Sequence, residues 1–355
     1  MSTSSQRARR LLALAAVGAA LTLVACGSSS STTTGGDTTL PMSTLPPTVP
    51  TTTPPTDAAT TTEVPKPTWQ LTGLVAEDPS LLARPAVVAK VGNYDAYPHS
   101  GLNDADIVFE EIINDRITRF AVVYHSTVPA DIVGPIRSGR IQDVDLLTSL
   151  NSPILAWAGG NAYVTQDIVD STLINMSMTY CKSACFRTDF FKAPYNLYFD
   201  IEEAWKVAPE GGMTPPAQFT YRSASAVPAG APAAGVDMTM DAYRVKWSWN
   251  AEAGIYERAQ NGKVDEERNG EVVTTENVLV LKMTYKSAAG SPNAVSVGEG
   301  EAWLFSGGTV VHGTWRRADN TQPYTLLADD GSAMLLTPGR TFVMLPRTSD
   351  TVTPF

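Results

Sequence analysis

The segment formed by residues 28–67 constrains this chain most, because its composition does not support a folded core. Its 40 residues contain 14 Thr, 5 Ser and 8 Pro and no aromatic residue. Such a segment cannot bury enough apolar surface to offset the conformational entropy that folding costs. We therefore predict that residues 26–67 form a disordered tether, which its prolines extend, and that folded structure begins at residue 68.

The residues before the tether have the pattern of a secretion signal. Three arginines in the first ten residues precede an uncharged apolar run at 11–25, which is shorter than the roughly 20 residues needed to span a bilayer. The run ends in Leu23-Val24-Ala25-Cys26, the lipobox pattern of bacterial lipoproteins. We predict a signal peptide over residues 1–25, acyl chains such as palmitate on Cys26, and a location outside the cytoplasm. The alternative is an ordinary signal peptide in which Cys26 is incidental.

The charge of the chain argues against a nucleic-acid partner. There are 26 Lys and Arg residues against 36 Asp and Glu residues, a formal charge of −10, and removal of residues 1–25 makes it −13. Nucleic-acid binding relies on basic surfaces, so none is expected. Anionic lipid repels an acidic protein, which leaves the lipid on Cys26 as the predicted membrane contact. With three Cys, three His and no cofactor fingerprint, we expect neither a metal nor a cofactor.

The folded part divides into two regions of different periodicity. Residues 68–212 alternate short apolar runs with helical spacing and predict a mixed α/β domain. Residues 213–235 are rich in Pro, Ala and Gly and are interpreted as a linker. Residues 236–350 have mainly period-two patterns, separated by turn signals such as Asn261-Gly262, and predict a β-rich domain. The expected fold class is thus α/β or α+β.

Two segments of the first domain could bind an anion. A predicted strand at 153–157 leads through Gly159 and Gly160 into a helix, an arrangement that offers free backbone N–H groups, although such glycines are often needed for packing alone. The turn Gly134-Pro135-Ile136-Arg137-Ser138-Gly139-Arg140 carries two guanidinium groups and a hydroxyl. Pro135 fixes its backbone, and Gly139 is expected to permit an unusual conformation.

Arginine recognises carboxylates and phosphates bidentately, so Arg119, Arg137, Ser138 and Arg140 are predicted to bind an anionic envelope ligand. The alternative is that these arginines pair internally with nearby acids, which occur in matching number between residues 104 and 115, or with Asp143. We favour a binding or scaffolding module for cell-wall glycan or for a cell-wall synthesis protein.

An enzyme is the second hypothesis: a hydrolase or transferase for an anionic envelope polymer, in which the arginines hold the charged group. Glu110 or Asp106 would then be the general base. His125 is a further candidate, although a lone histidine at a strand end is more often structural.

The two remaining cysteines are predicted to form a disulfide. Cys181 and Cys185 are close in sequence, and close cysteine pairs usually oxidise outside the cytoplasm. A redox-active pair is the alternative, but the three-residue spacing differs from the Cys-x-x-Cys motif.

The order of several motifs resembles that of YerB-like lipoproteins, a bacterial family whose two domains have no assigned function. The shared segments include Ser100-Gly101-Leu102, the turn at 134–140, Ala158-Gly159-Gly160, Lys192-Ala193-Pro194-Tyr195-Asn196, and Gly313-Thr314-Trp315. The resemblance covers nearly all of residues 69–346. It implies an envelope lipoprotein with an α/β first domain and a β second domain, but no catalytic residues.

Within these motifs, Asn196 is added to the candidate ligand-binding residues. The chain departs from the family pattern at Trp157 and Tyr195, where members often have His. A mechanism that uses those histidines is therefore not expected.

Overall fold

The computed structural model describes residues 66–93, 98–113 and 117–355. The predicted signal peptide, Cys26 and all but the end of the tether lie outside the described residues. The chain from Glu63–Phe355 forms one unit. No helix of the described part is long and apolar enough to cross a membrane.

The regular elements of the described residues are mostly strands. The helices are α1 Gln142–Leu147, α2 Ala162–Asp170 and α3 Ile201–Val207, and the short 3-10 helices are Pro79–Ala83, Leu102–Asp104, Thr148–Leu150 and Lys182–Ala184. The strands before residue 213 are β1 Val87–Gly92, β2 Ile107–Ile112, β3 Thr118–Tyr124, β4 Ile154–Trp157, β5 Ile174–Ser177, β6 Cys185–Arg187 and β7 Leu197–Phe199. The later strands are β8 Ala231–Pro232, β9 Gly235–Met240, β10 Tyr243–Asn250, β11 Ile255–Gln260, β12 Lys263–Val264, β13 Thr274–Thr275, β14 Asn277–Leu281, β15 Tyr285–Ala288, β16 Ser291–Ala294, β17 Gly298–Ser306, β18 Thr309–Arg317, β19 Thr325–Ala328, β20 Thr341–Leu345 and β21 Val352–Pro354.

One mixed sheet runs through both halves of the sequence. Its order is β19-β18-β17-β14-β20-β2-β3-β1-β4-β5, with β8 beside β18. Strand β20 lies parallel to both β14 and β2, so Val343 is opposite Leu279 on one side and Phe109 on the other. Strands from residues 277–345 and from residues 87–177 therefore share one hydrogen-bonded ladder.

Layers cover the two faces of this sheet. The second sheet, with the order β12-β11-β10-β9-β21, packs on one face, where the rings of Trp247 and Phe342 are 4.8 Å apart. Helices α1 and α2 pack on the other face through residues such as Leu147 and Ile168. Because both faces are covered, every residue of β3 is buried, although side chains along a strand alternate between faces.

The predicted fold class is confirmed: helices are few, and the C-terminal part is rich in strands. The Pro, Ala and Gly-rich segment at 213–235 is held against the rest of the unit. Gln218 donates from Nε2 to the Ser149 carbonyl at 3.1 Å, and the Tyr221 hydroxyl donates to the Leu71 carbonyl. Ala231–Pro232 joins the main sheet beside β18.

Candidate functional site

The strand, Gly-Gly and helix arrangement is present as predicted. Strand β4 ends at Trp157, Gly159 adopts a φ of 85°, and helix α2 begins after Asn161. The Asn161 side chain caps the helix, because its Oδ1 accepts a hydrogen bond from the Val164 N–H at 3.0 Å. The positive φ requires a residue without Cβ strain, which explains Gly at 159.

Hydrogen bonds on both sides fix the predicted arginine turn. The Arg137 N–H donates to the Lys90 carbonyl at 2.8 Å, and the Ala158 N–H donates to the Arg137 carbonyl at 2.9 Å. The Gly139 N–H donates to the Gly159 carbonyl at 3.1 Å. The turn is therefore held directly beside the Gly-Gly segment.

The reason for glycine at position 139 differs from the expectation. Gly139 is not among the glycines with a positive φ. A Cβ at this position would lie 2.7 Å from Ile168 Cδ1 and 3.1 Å from a ring carbon of Trp157. Close packing against helix α2 and strand β4, rather than an unusual backbone conformation, excludes a side chain here.

The turn and the helix start border a cleft of about 340 Å³ that is open to solvent. Its lining residues are Ser138, Arg140, Gly160, Asn161, Val164, Ala289, Gly290 and Ser291. Asn161 connects the two sides, because its Nδ2 donates to the Ala289 carbonyl at 2.7 Å. Three predicted ligand-binding residues (Ser138, Arg140 and Gly160) thus line one cleft, together with a loop between β15 and β16 that the sequence did not indicate.

The three arginines hydrogen-bond to carbonyl oxygens. Arg119 is buried beside the turn and donates from Nη1 to the Ser138 carbonyl at 2.6 Å. Arg140 donates to the Gly139 carbonyl at 2.8 Å, and Arg137 donates to the Pro194 carbonyl at 3.0 Å while lying over the Tyr195 ring. None of them forms an ion pair with a carboxylate of the described residues, which do not include Asp115.

Burial and mutual repulsion affect these guanidinium groups. Burial, with the charges of Arg140 and Arg137, lowers the pKa of Arg119 to about 9. Burial also lowers the pKa of Arg140, against the opposing charges of Glu111 and Asp143. The Nε atoms of Arg119 and Arg140, like that of Arg258 elsewhere in the protein, are buried without a hydrogen-bond partner in the described part of the chain. An anion bound here would relieve the repulsion.

A buried ion-pair network lies on the same face of the main sheet as Arg119. Lys90 Nζ binds Asp143 Oδ1 at 2.7 Å and also binds Glu111 Oε1. Burial and the Asp143 charge raise the pKa of Glu111 to about 7. With Arg137 and Arg140, four cationic side chains occupy this region against two carboxylates among the described residues. The cleft thus has an excess of positive charge in a protein that is acidic overall.

Sequence reasoning missed Lys90, although a signal existed, because a single charge inside the apolar run of β1 must be paired when both faces of the sheet are covered. Asp143 was expected only as a possible structural partner of the arginines. Its Oδ1 pairs with Lys90 instead, and its Oδ2 accepts a hydrogen bond from the backbone N–H of Arg140 at 2.7 Å.

Glu110 lies on the opposite face of the sheet from the arginines of the cleft. Its Oε2 binds Arg258 at 2.9 Å, and its Oε1 accepts hydrogen bonds from Thr118 Oγ1 at 2.8 Å and Asn93 Nδ2 at 3.1 Å. Arg258 and Glu110 are both fully buried. The structure therefore places this candidate base in a paired cluster, away from Arg119, Arg137 and Arg140.

Asp106 and His125 lie at the other end of strand β2 from Glu111. The Asp106 carboxylate accepts hydrogen bonds from the N–H groups of His125 and Ser126 and from the Ser126 hydroxyl. Burial nevertheless raises the pKa of Asp106 to about 6. The His125 ring packs edge-on against Trp69 at 5.0 Å, and burial with the Arg84 charge lowers its pKa to about 4. The arrangement that the enzyme hypothesis requires, a base beside the cleft arginines, is thus not formed by Glu110, Asp106 or His125.

Asn196 and the cysteine pair hold the loops next to Arg137. Asn196 Oδ1 accepts a hydrogen bond from Arg187 Nη1 at 2.6 Å, and Asn196 Nδ2 donates to the Thr188 carbonyl at 3.3 Å. Cys181 and Cys185 are joined in a disulfide, as predicted, with their Cα atoms 5.6 Å apart. The Asn196 side chain is therefore occupied by the hairpin of β6 and β7 and does not line the cleft.

Among the described residues, no three His, Cys, Asp or Glu side chains are grouped so that they could hold a metal.

Comparison with known proteins identifies the family of this chain. Residues 71–214 match the family described as "Protein of unknown function (DUF3048) N-terminal domain", and residues 236–343 match the corresponding C-terminal domain. The chain is 27% identical over 288 residues to the "Putative lipoprotein YerB" of Bacillus subtilis, with 77% of this chain and 84% of that protein covered.

A solved structure shares the fold. The crystal structure of the YerB protein from Bacillus subtilis matches with a TM-score of 0.68 and 23% identity, over 81% of this chain and all of that one. This chain contains both domains of the family and has the fold of the solved relative. The protein therefore belongs to the YerB-like (DUF3048) family of bacterial lipoproteins.

Proposed function

We propose that this protein is a lipid-anchored, extracytoplasmic binding module whose cleft holds an anionic group of a cell-envelope ligand. The ligand belongs either to cell-wall glycan or to a cell-wall synthesis protein. The observation that carries the proposal is the guanidinium group of Arg140, which lines the cleft, with those of Arg119 and Arg137 beside the same turn. None of the three forms an ion pair with a carboxylate of the described residues.

The rigidity of the site supports binding. Arg119 is held by the Ser138 carbonyl, and main-chain hydrogen bonds link the arginine turn to β1 and to the Gly-Gly segment. A site that is ordered before the ligand arrives loses little conformational entropy on binding. The N-terminal end of helix α2 adds a partial positive charge at Gly160 and Asn161.

The positions of the carboxylates favour binding over catalysis. Glu110 is paired with Arg258, and Asp106 is hydrogen-bonded at the far end of the strand. Glu111, which lies on the cleft side, is paired with Lys90. A general base must reach the proton that it removes, and none of these groups lines the cleft.

The test is calorimetric titration of the folded protein with inorganic phosphate and with peptidoglycan fragments released by a muramidase. Replacement of Arg140 by Ala removes the guanidinium group that lines the cleft, so binding should weaken by roughly 1.5–3 kcal/mol. Arg316→Ala is the matched control, because Arg316 is 61% exposed on β18 and, within the described ranges, its ion pair is with Glu299. Equal affinities of wild type and Arg140→Ala for both probes would refute the proposal.

The anchor is tested separately, at Cys26. In the full-length protein, Cys26→Ser should abolish partition into the detergent phase, because no acyl chain could be attached. Unchanged partition of the variant would contradict the lipid anchor while leaving the binding proposal intact.

A further inference from the structure

We infer that the ligand of the cleft is a polypeptide: an extended segment of another envelope protein that places an Asp or Glu carboxylate against Arg140 and apolar side chains beside it. This inference rests on the proposed function, since it uses the same anion site. Three observations next to the cleft support a polypeptide.

The first observation is a set of exposed apolar side chains at the ends of β4 and β5, next to the segment that borders the cleft. Tyr163 is 77%, Tyr180 58% and Met178 51% exposed. Tyr163 lies in the first turn of α2, and the Met178 N–H donates to the Trp157 carbonyl at 3.1 Å, directly before the Gly-Gly segment. All three therefore lie at the edge of the sheet where β4 and β5 end.

The second observation is the composition of this surface. Arg187 Nη2 donates to Met178 Sδ at 3.5 Å, so a cation extends the apolar group. Tyr, Met and Arg are the residues that protein interfaces favour, and they supply most of the binding energy there. The rings of Tyr163 and Tyr180 suit a glycan as well as a protein, but the flexible thioether of Met178 suits the irregular side chains of a protein.

The third observation is the exposed edge of the main sheet. Strand β5 is the last strand in the order, and in the described residues it pairs only with β4. Three of its four residues (Ile174, Asn175 and Ser177) are only partly buried. An edge strand can pair with an added strand through its N–H and C=O groups, and a polypeptide is the ligand that can supply the matching groups. At Ser177 these groups are occupied, since its N–H donates to Asn175 Oδ1 at 3.0 Å and its carbonyl accepts from the Tyr180 and Cys181 N–H groups, so an added strand would pair at Asn175. A segment beside β5 would bring its side chains to Met178 and then to the cleft.

The inference is tested by a photo-crosslinking amino acid placed at Tyr163 or Met178 of the full-length, lipidated protein in growing cells. Val227 is the matched control position, because it is 88% exposed and precedes β8, which lies at the other end of the sheet. We expect an adduct from positions 163 and 178 that proteinase digests and muramidase leaves intact. Its crosslinked peptide should contain Asp or Glu, and Arg140→Ala should lower the yield at least about fivefold.

Other results would overturn the inference. These are an adduct that muramidase removes, an equal adduct from position 227, a crosslinked peptide without acidic residues, or no adduct from positions 163 and 178. If phosphate binding to the purified protein still depends on Arg140 in that case, the proposed function stands and only the polypeptide inference fails. If phosphate and peptidoglycan fragments both bind independently of Arg140, the proposed function fails first.

A second measurement separates the anion site from the apolar surface. Tyr163→Ala and Met178→Ala should leave the affinity for inorganic phosphate unchanged and should lower the yield of the polypeptide adduct from a crosslinker placed at Tyr180 at least about fivefold. An undiminished yield would contradict the role of the apolar surface.

Discussion

Glu110 and Glu111 are neighbours on one strand, yet they belong to two different kinds of charged cluster. Glu110 forms the closed cluster with Arg258, Asn93 and Thr118, in which its carboxylate is paired and hydrogen-bonded. Glu111 forms the open cluster with Lys90, Asp143, Arg119 and Arg140, in which positive charge is in excess among the described residues. A buried charge that is fully paired belongs to the architecture, whereas unpaired cations beside a cleft are available to a ligand.

The two clusters also differ in what they connect. The closed cluster joins the main sheet to the second sheet, because Glu110 and Arg258 are 148 residues apart in sequence. The open cluster lies where the arginine turn and helix α1 meet strands β1 and β2. Loss of a charge should therefore affect mainly stability in the first case and mainly binding in the second.

The largest expected effect is that of Arg258→Met, which should lower the free energy of unfolding by about 3–5 kcal/mol. The substitution leaves the Glu110 carboxylate buried without its counter-ion. Urea unfolding measures the loss, and Arg258→Met combined with Glu110→Gln should recover much of it. If Arg258→Met alone were as stable as wild type, the two clusters would not differ in their effect on stability.

Gly139→Ala should cost about 1–3 kcal/mol, because the new methyl group would overlap Ile168 and Trp157. Gly160→Ala is the comparison, since its nearest contact would be Val164 Cγ1 at 3.2 Å and its φ is not positive. Thermal unfolding of both variants checks this order. If the two losses were equal, close packing would not explain the glycine at 139.

The open cluster should also make stability depend on pH. Folding raises the pKa of Glu111 from 4.5 to about 7, so the folded protein binds the Glu111 proton more tightly than the unfolded chain. The resulting contribution to the free energy of unfolding is fully present below about pH 4.5 and is lost as the pH rises through about 7. Asp106 and Glu267, with pKa values of about 6 and about 7, act in the same direction. Between about pH 5 and pH 8, the free energy of unfolding of Glu111→Gln, measured with urea, should therefore decline less steeply with pH than that of wild type. Parallel curves would contradict the assignment to Glu111.

The smallest expected effect on stability is that of Arg140→Ala, about 0.5 kcal/mol or less. Arg140 forms no ion pair with a carboxylate of the described residues, and its removal relieves repulsion with Arg119 while losing a longer-range attraction to Glu111 and Asp143, so the two effects offset each other. Urea unfolding beside Arg258→Met provides the direct comparison. A loss as large as that of Arg258→Met would show that the open cluster is structural.

Much of the local structure was predictable from the sequence. The apolar run before Gly159 and Gly160 and the helical spacing after them indicated β4 and α2, because side-chain periodicity records which face of an element is buried. The disulfide of Cys181 and Cys185 was indicated by spacing and by the predicted location. The arginine turn and the Gly-Gly segment were each predicted as candidate anion-binding segments, and that role remains a prediction; that they lie side by side is a result of the structure.

The sequence by itself determined which residues alternate along each strand, and hence that Glu110 and Glu111 must point to opposite faces. Only the tertiary structure decided what each face meets. The parallel insertion of β20 between β14 and β2 joins strands more than 160 residues apart in one sheet, and the second sheet then brings Arg258 to Glu110. Periodicity depends on neighbouring residues, whereas the packing of the whole chain decides which side chains pair. Because of that packing, Arg119 and Arg140 lie beside a cleft without a carboxylate ion-pair partner among the described residues.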